Sequence, residues 1–162
     1  MFIDQDACDA FWREYLAHLP AEDPHHSAKP DTFGFGGEPA LADELAALVM
    51  AGPKRATTSL PIEFTSLGEP LPRVGDLSIV VRGDGSPSSI IERTHVESKP
   101  FDEVDQEYAS IEGEGDGSLD YWKRGHIGYF TDVCQRLGGT FDGRTQVLCQ
   151  IFRVVWPRTT PR

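Results

Sequence analysis

Apolar residues recur at helical spacing near the start of the chain. Ala7, Cys8, Phe11, Trp12, Tyr15, Leu16 and Leu19 fall on one stripe and predict a helix over residues 4–19. Asp4 is placed to cap it and Pro20 to stop it. Residues 21–37 carry Pro24, Pro30 and three glycines and predict a loop. Leu41, Leu45, Leu48 and Val49 form the buried face of a second helix, Pro39–Ala51, with Asp43 and Glu44 toward water. Pro39 suits its first turn, where no amide donor is needed, and Gly52 ends it. The pattern then becomes strand-like, with strands expected at 56–60, Leu77–Val81, 90–96 and Gln146–Trp156. Residues 82–87 join two of them as a hairpin loop. Two more helices are expected, one at 102–109 capped by Asp102 and one at 118–137. In the latter Leu119, Trp122, Ile127, Phe130 and Val133 are partly periodic, and Gly138-Gly139 marks the end.

The order is helix, helix, several strands, helices, final strand. Without βαβ alternation a doubly wound parallel sheet is excluded, and an α+β architecture follows: a small, mostly antiparallel barrel or curled sheet with helices packed outside. One domain is expected over residues 1–157, with 158–162 as a frayed tail.

Composition narrows the function. The chain has 162 residues, 39% hydrophobic and 25% charged, enough to bury a real core. The formal net charge of −11 argues against a general reader of the phosphate backbone, though a small nucleotide or short single strand remains compatible if positive charge collects at one cleft. Much of the acid lies between Asp102 and Asp120, where no Lys or Arg intervenes. No apolar run is long enough to span a membrane, and residues 1–6 do not open a secretory signal. Cys8, Cys134 and Cys149 are far apart and odd in number, which predicts reduced core thiols in a cytoplasmic protein.

Two stretches can carry chemistry. Gly52-Pro53-Lys54-Arg55-Ala56-Thr57-Thr58-Ser59-Leu60 places a cation and several hydroxyls at a helix-to-strand junction, where a rigid scaffold holds reactive groups. A helix C-cap followed by a solvated lysine gives the same pattern. Ala109-Ser110-Ile111-Glu112-Gly113-Glu114-Gly115-Asp116-Gly117-Ser118 alternates carboxylate and glycine, which predicts a tight irregular loop between two helices. It opens like a calcium loop, but Lys123 stands where a bidentate Glu is required. A magnesium or manganese ion brought by a nucleic-acid substrate stays open, and capping of the next helix by Asp116 or Ser118 is the structural alternative. Phe35, among glycines, reads as a stacking ring or a hydrophobic plug. Trp122 reads as a base platform or core. His126 reads as an acid or base near a cleft, or as a hydrogen-bonded surface histidine. His95 reads as structural, and His25-His26 as a solvated loop pair.

Taken together, Phe35-Gly36-Gly37, Ala42-Asp43-Glu44-Leu45, Gly52-Pro53-Lys54-Arg55-Ala56-Thr57, Leu71-Pro72-Arg73-Val74-Gly75-Asp76, Pro100-Phe101-Asp102-Glu103-Val104 and Glu112-Gly113-Glu114-Gly115-Asp116 resemble the ASCH-domain family, in its longer bacterial branch. The resemblance runs over nearly the whole chain and rests on the order and spacing of the blocks. It implies a PUA-like β-barrel with flanking helices and a cleft associated with RNA or nucleosides. Family members include ribonucleases and a small amidohydrolase of N4-acetylcytidine. The family pattern Gly-x-Lys-x-x-Thr-x-Arg falls on Gly52, Lys54 and Thr57, with Ser59 where Arg is expected and Arg55 as the neighbouring substitute. The implied catalytic set is Lys54, Thr57 and Glu112, with Glu114 as competitor for the carboxylate. Arg55, Thr58, Ser59, Phe35, Trp122 and His126 would line the substrate site. A lysine made neutral by desolvation would activate the threonine in amide hydrolysis; in RNA cleavage Lys54 and Arg55 would hold the phosphorane charge. A hydrolase of RNA or a modified nucleoside is the expected function, with an RNA-binding module without chemistry and a deacylase of some non-nucleotide amide as alternatives.

Overall fold

The computed structural model of the chain describes residues 1–158; the tail expected to fray lies outside them from residue 159 onward. Five strands form one curled sheet in the order β1-β3-β4-β5-β2: β1 Asp31–Phe33, β2 Ala56–Ser59, β3 Leu77–Val81, β4 Pro87–Pro100 and β5 Gln146–Trp156. The helices are α1 Gln5–Ala17, α2 Pro39–Ala51, α3 Pro61–Thr65, α4 Gln106–Glu112 and α5 Leu119–Leu137. The expected α+β class and curled sheet are therefore present. β2 runs antiparallel to β5 and β3 antiparallel to β4, while β1 lies parallel to β3.

Contacts divide the chain into two compact units. The first comprises Met1–Gly52, Gly75–Glu92 and the described residues from Arg153. Its core gathers Cys8 and Tyr15 of α1 with Leu77, Ile79, Val81, Ile90 and Trp156. Asp4 caps α1 through the Ala7 amide at 3.0 Å, as the sequence suggests. Gly52 ends α2 at φ 118°, in the left-handed region that favours glycine.

The second unit comprises Pro53–Val74 and Arg93–Phe152. Its core holds Ala56 and Leu60, Phe101, Tyr108, Trp122, Phe130, Val133, Val147 and Cys149. Each large apolar side chain fully buried there contributes about 1.5–3 kcal/mol. α3 is short; Tyr129 of α5 donates to Glu63 Oε1 at 2.8 Å, and Glu63 Oε2 accepts from the Leu60 amide at 2.7 Å.

Several boundaries differ from the sequence reading, among them β4, which runs Pro87–Pro100 where 90–96 is expected. The loop over 21–37 contains β1, which is only three residues long and finds its register on β3, so no local periodicity marks it. α3 follows β2 directly, with Leu60 preceding Pro61. The helix expected at 102–109 becomes a single 3-10 turn, Phe101–Glu103, followed by α4. The cap of α4 is Asp105, which accepts from the Tyr108 amide at 2.9 Å, and not Asp102. α4 then runs on to Glu112, so the glycine-punctuated loop expected from Ala109 starts four residues later, at Gly113 with φ 68°.

Candidate functional site

Lys54 leaves the turn after α2 and is completely buried, an expensive place for a primary amine unless it is paired. Three of its partners are in the second unit. Nζ donates to the Ala56 carbonyl and to Glu114 Oε1, each at 2.8 Å, and lies 3.6 Å from Glu112 Oε1. Glu112 stands on the last turn of α4 and is only 2% exposed. Its Oε2 accepts from Thr58 Oγ1 at 2.8 Å and from Trp122 Nε1 at 2.6 Å, while Oε1 faces His126 Nε2 at 3.2 Å. The cluster thus sets two cations, Lys54 and His126, against two carboxylates, Glu112 and Glu114.

Two backbone features bring the pieces together. The Arg55 amide donates to the Ile111 carbonyl at 2.9 Å, tying the lysine turn to α4. Gly113 abuts the Pro53 carbonyl so closely that a Cβ has no room.

His126 is cationic by geometry. Nδ1 donates to the Trp122 carbonyl at 2.8 Å, and Nε2 faces a carboxylate, so both ring nitrogens meet acceptors. Burial alone would lower its pKa, but the Glu112 charge and hydrogen bond outweigh that and raise it. Burial pushes the Glu112 carboxyl up; Lys54, then His126, overcome this and hold it down at about 2. The signs follow from linkage. The depressed Glu112 adds stability above the ordinary carboxylate range, lost as pH falls toward its folded value. The raised His126 adds stability fully present below about pH 6.5 and lost as pH rises through its folded value. The unfolding temperature is therefore expected to peak between about pH 4.5 and 6.5. Scanning calorimetry across pH tests this: if Glu112→Gln leaves the acid limb as steep as in the parent, the assignment is wrong.

Trp122 is core. Phe101 stacks on it at 5.3 Å and His126 at 4.1 Å, so neither ring face is left for a base. Phe35 is buried in the first unit, edge-on to Phe33 at 5.1 Å, which matches the hydrophobic plug.

The threonine that meets Glu112 is Thr58. Side chains alternate along β2, so Ala56 and Thr58 face α4 and α5 while Thr57 and Ser59 face the other way. Thr57 gives its carbonyl to the Tyr108 hydroxyl at 2.8 Å. On the Thr57 side, Gln150 Nε2 donates to Ser59 Oγ at 3.2 Å and Gln150 Oε1 accepts from Arg93 Nε at 2.7 Å. Arg55 uses Nη1 on the Lys54 carbonyl at 2.8 Å.

Three participants were absent from the sequence reading. Tyr108 falls on a helix that gives it no evident role; its phenol lies 3.0 Å from Thr58 Oγ1. Arg93 and Gln150 are buried polar residues inside β-branched runs. Their position in Ile90-Ile91-Glu92-Arg93-Thr94 and Leu148-Cys149-Gln150-Ile151 was the available signal, since strand alternation turns them inward with their apolar neighbours. His95 is exposed beside Glu97 at 3.6 Å. Among the described residues no group of His, Cys, Asp and Glu side chains gathers to hold a metal ion, and no helix is long and apolar enough to cross a membrane.

A family model for the ASCH domain matches residues 31–156. Two solved structures are similar over nearly their whole length. An ASCH domain from Lactobacillus crispatus JV V101 is 31% identical, with a TM-score of 0.86 over 94% of this chain and 96% of its own. A protein from Enterococcus faecalis V583 is 30% identical, with a TM-score of 0.80 over 93% of this chain and 89% of its own. None of the curated proteins matches this chain.

Proposed function

Because this chain belongs to the ASCH-domain family, a PUA-like fold often linked to RNA binding, we propose that it is a hydrolase of single-stranded RNA or of a modified nucleoside, with the Lys54 cluster as its machinery. The observation that carries this reading is the Lys54 ammonium, shared between Glu114 at 2.8 Å and Glu112 at 3.6 Å, with His126 on the same Glu112 oxygen. Buried clusters of perturbed titratable groups concentrate at functional sites.

The two carboxylates divide the labour. Glu112 accepts three hydrogen bonds, pairs with Lys54 at 3.6 Å and has a depressed pKa, so it positions Lys54 and His126. Glu114 is 21% exposed and is the carboxylate a substrate reaches. It accepts the proton of the attacking hydroxyl, either the 2′-hydroxyl of RNA or a water at an acyl carbon, and returns it to the leaving 5′-oxygen or amide nitrogen as the P–O or C–N bond breaks. The Lys54 charge, buried behind Glu114, opposes from there the negative charge that develops on the phosphorane or the tetrahedral oxygen. Thr57 takes no nucleophilic step in this scheme, because its hydroxyl lies on the face of β2 away from Glu112. Lys54 acts as the cation of this scheme and not as a neutral base. The buried thiols, with Cys149 pushed up to about 12 by burial, suit a reducing cytoplasmic setting.

One observation favours a second reading, a binding module without chemistry: a saturated Glu112 is also what a purely structural polar core looks like. Turnover separates the two. The protein is incubated with single-stranded RNA, with and without Mn²⁺, and separately with N4-acetylcytidine. Shortened RNA supports the nuclease and released cytidine the amidohydrolase. Glu114→Gln is expected to lower either rate by about 10²–10⁴-fold with the fold intact. Binding without turnover in every condition leaves the module and ends the hydrolase.

A further inference from the structure

Tyr121 stands in the first turn of α5, directly after the loop that carries Glu114. That loop is held from several sides. The Gly117 amide donates to the Glu114 carbonyl at 3.0 Å, closing a tight turn of which Glu114 is the first residue. Asp116 Oδ1 accepts from the Ser118 amide at 2.8 Å. Gln106 donates through Nε2 to the Gly117 carbonyl at 2.9 Å, and its Oε1 accepts from the Leu119 amide at 2.7 Å. The Tyr121 amide donates to Ser118 Oγ at 3.1 Å, so the helix cap sets its place relative to the loop.

The ring packs on Gly115, the residue after Glu114. A Cβ added to Gly115 would fall almost equally close to Cε1, Cζ and Cε2 of Tyr121. A point equidistant from three successive ring atoms lies on the axis through the ring centre, so the glycine covers a face of the ring and not its edge. Tyr121 is nonetheless 41% exposed, which leaves the opposite face to solvent. Its aromatic neighbours on α5 offer no such face beside Glu114. Trp122 is enclosed by Phe101 and His126, and Phe130 is fully buried. Tyr129, roughly 12 Å further along the helix, is held by Glu63. The charged residues around Tyr121 in the chain are Glu114, Asp116, Asp120, Lys123 and Arg124. They carry no excess of positive charge, so what this ring offers a ligand is its open face.

An open aromatic face beside an accessible carboxylate selects a flat ring in the substrate. Resting on the hydrolase reading above, we infer that Tyr121 stacks on the nucleobase of the substrate and so brings the reacting bond to Glu114. In RNA that base is the one next to the scissile phosphodiester; in an acylated nucleoside it is the base that bears the amide. Stacking accepts any base and changes affinity by about tenfold or more for each base stacked.

Binding measured in a Glu114→Gln background, where turnover does not intervene, tests the ring. The probes are N4-acetylcytidine and a short single-stranded oligocytidine. Tyr121→Leu keeps an apolar side chain on Gly115 but no flat face, and is expected to weaken binding by about tenfold. Tyr121→Phe keeps the face and loses only the hydroxyl, and is expected to stay within about twofold of the parent. The ratio between parent and Tyr121→Leu should hold as salt rises, since the lost contact carries no charge. With Glu114 intact, Tyr121→Leu should raise KM and leave kcat within about threefold, because the stack is the same before and during reaction. Unchanged affinity in Tyr121→Leu, or Tyr121→Phe as weak as Tyr121→Leu, would overturn the stacking. So would a fall in kcat at constant KM, the mark of a ring that only braces the loop. The two readings fail separately. Binding that depends on Tyr121 without turnover of any substrate keeps the ring and ends the hydrolase. Turnover indifferent to Tyr121→Leu keeps the hydrolase and ends the ring.

Discussion

Lys54→Met is expected to lower the unfolding free energy by about 3–5 kcal/mol, because removing one partner of a buried ion pair leaves an uncompensated charge in the core. The cost falls on Glu112, only 2% exposed, which loses one of its two cations to a neutral side chain of similar length. Glu114 suffers less, since solvent reaches it. The double variant Lys54→Met/Glu112→Gln therefore regains part of the loss, and the cycle gives the coupling directly. Denaturant midpoints at constant slope provide the measurement. If Lys54→Met costs less than about 1 kcal/mol, the amine is not the counter-charge of the cluster and the proposed machinery loses its centre.

Gly113→Ala is the second large effect. Gly113 has φ 68°, and an added Cβ would run into the backbone carbonyl of Pro53, with Lys54 N only 2.9 Å away. Backbone cannot give way as the end of a side chain can. Left-handed strain and overpacking together are expected to cost about 2–4 kcal/mol. The more telling consequence is positional. Relief comes from moving the loop away from the lysine turn, which carries Glu114 from Lys54 while leaving both residues chemically intact. Turnover should therefore fall even at temperatures where the variant stays folded. Gly117→Ala is the control: it shares a positive φ of 75°, but its Cβ would meet nothing. Equal losses in the two variants would attribute the effect to backbone strain alone and remove close packing as its cause.

Much of the fold is legible from local pattern. α1, α2 and α5 carry apolar stripes with recognisable caps at Asp4, Gly52, Ser118 and Gly138. β3 and β5 are β-branched runs long enough to stand out. The elements without a local signal are short or owe their form to a partner. β1 has three residues and exists by pairing with Ser78, Ile79 and Val80. The α4 cap moved from Asp102 to Asp105 because two acidic residues in reach of one helix start cannot be told apart by propensity.

The site divides in the same way. The order of residues fixed the ingredients: a lysine after a helix-ending glycine, adjacent threonines on a strand, and carboxylates spaced by glycine. Nothing local says which threonine faces the carboxylate, because the register of β2 on β5 turns Thr58 toward α4 and Thr57 toward Gln150. Nothing local says that Trp122 is roofed by Phe101 and His126, or that Glu112 ends a helix while Glu114 sits toward water. Those choices depend on pairs far apart in the chain, 60 residues for Lys54 with Glu114 and 91 for Ser59 with Gln150, and only the packed chain brings such pairs within hydrogen-bond range.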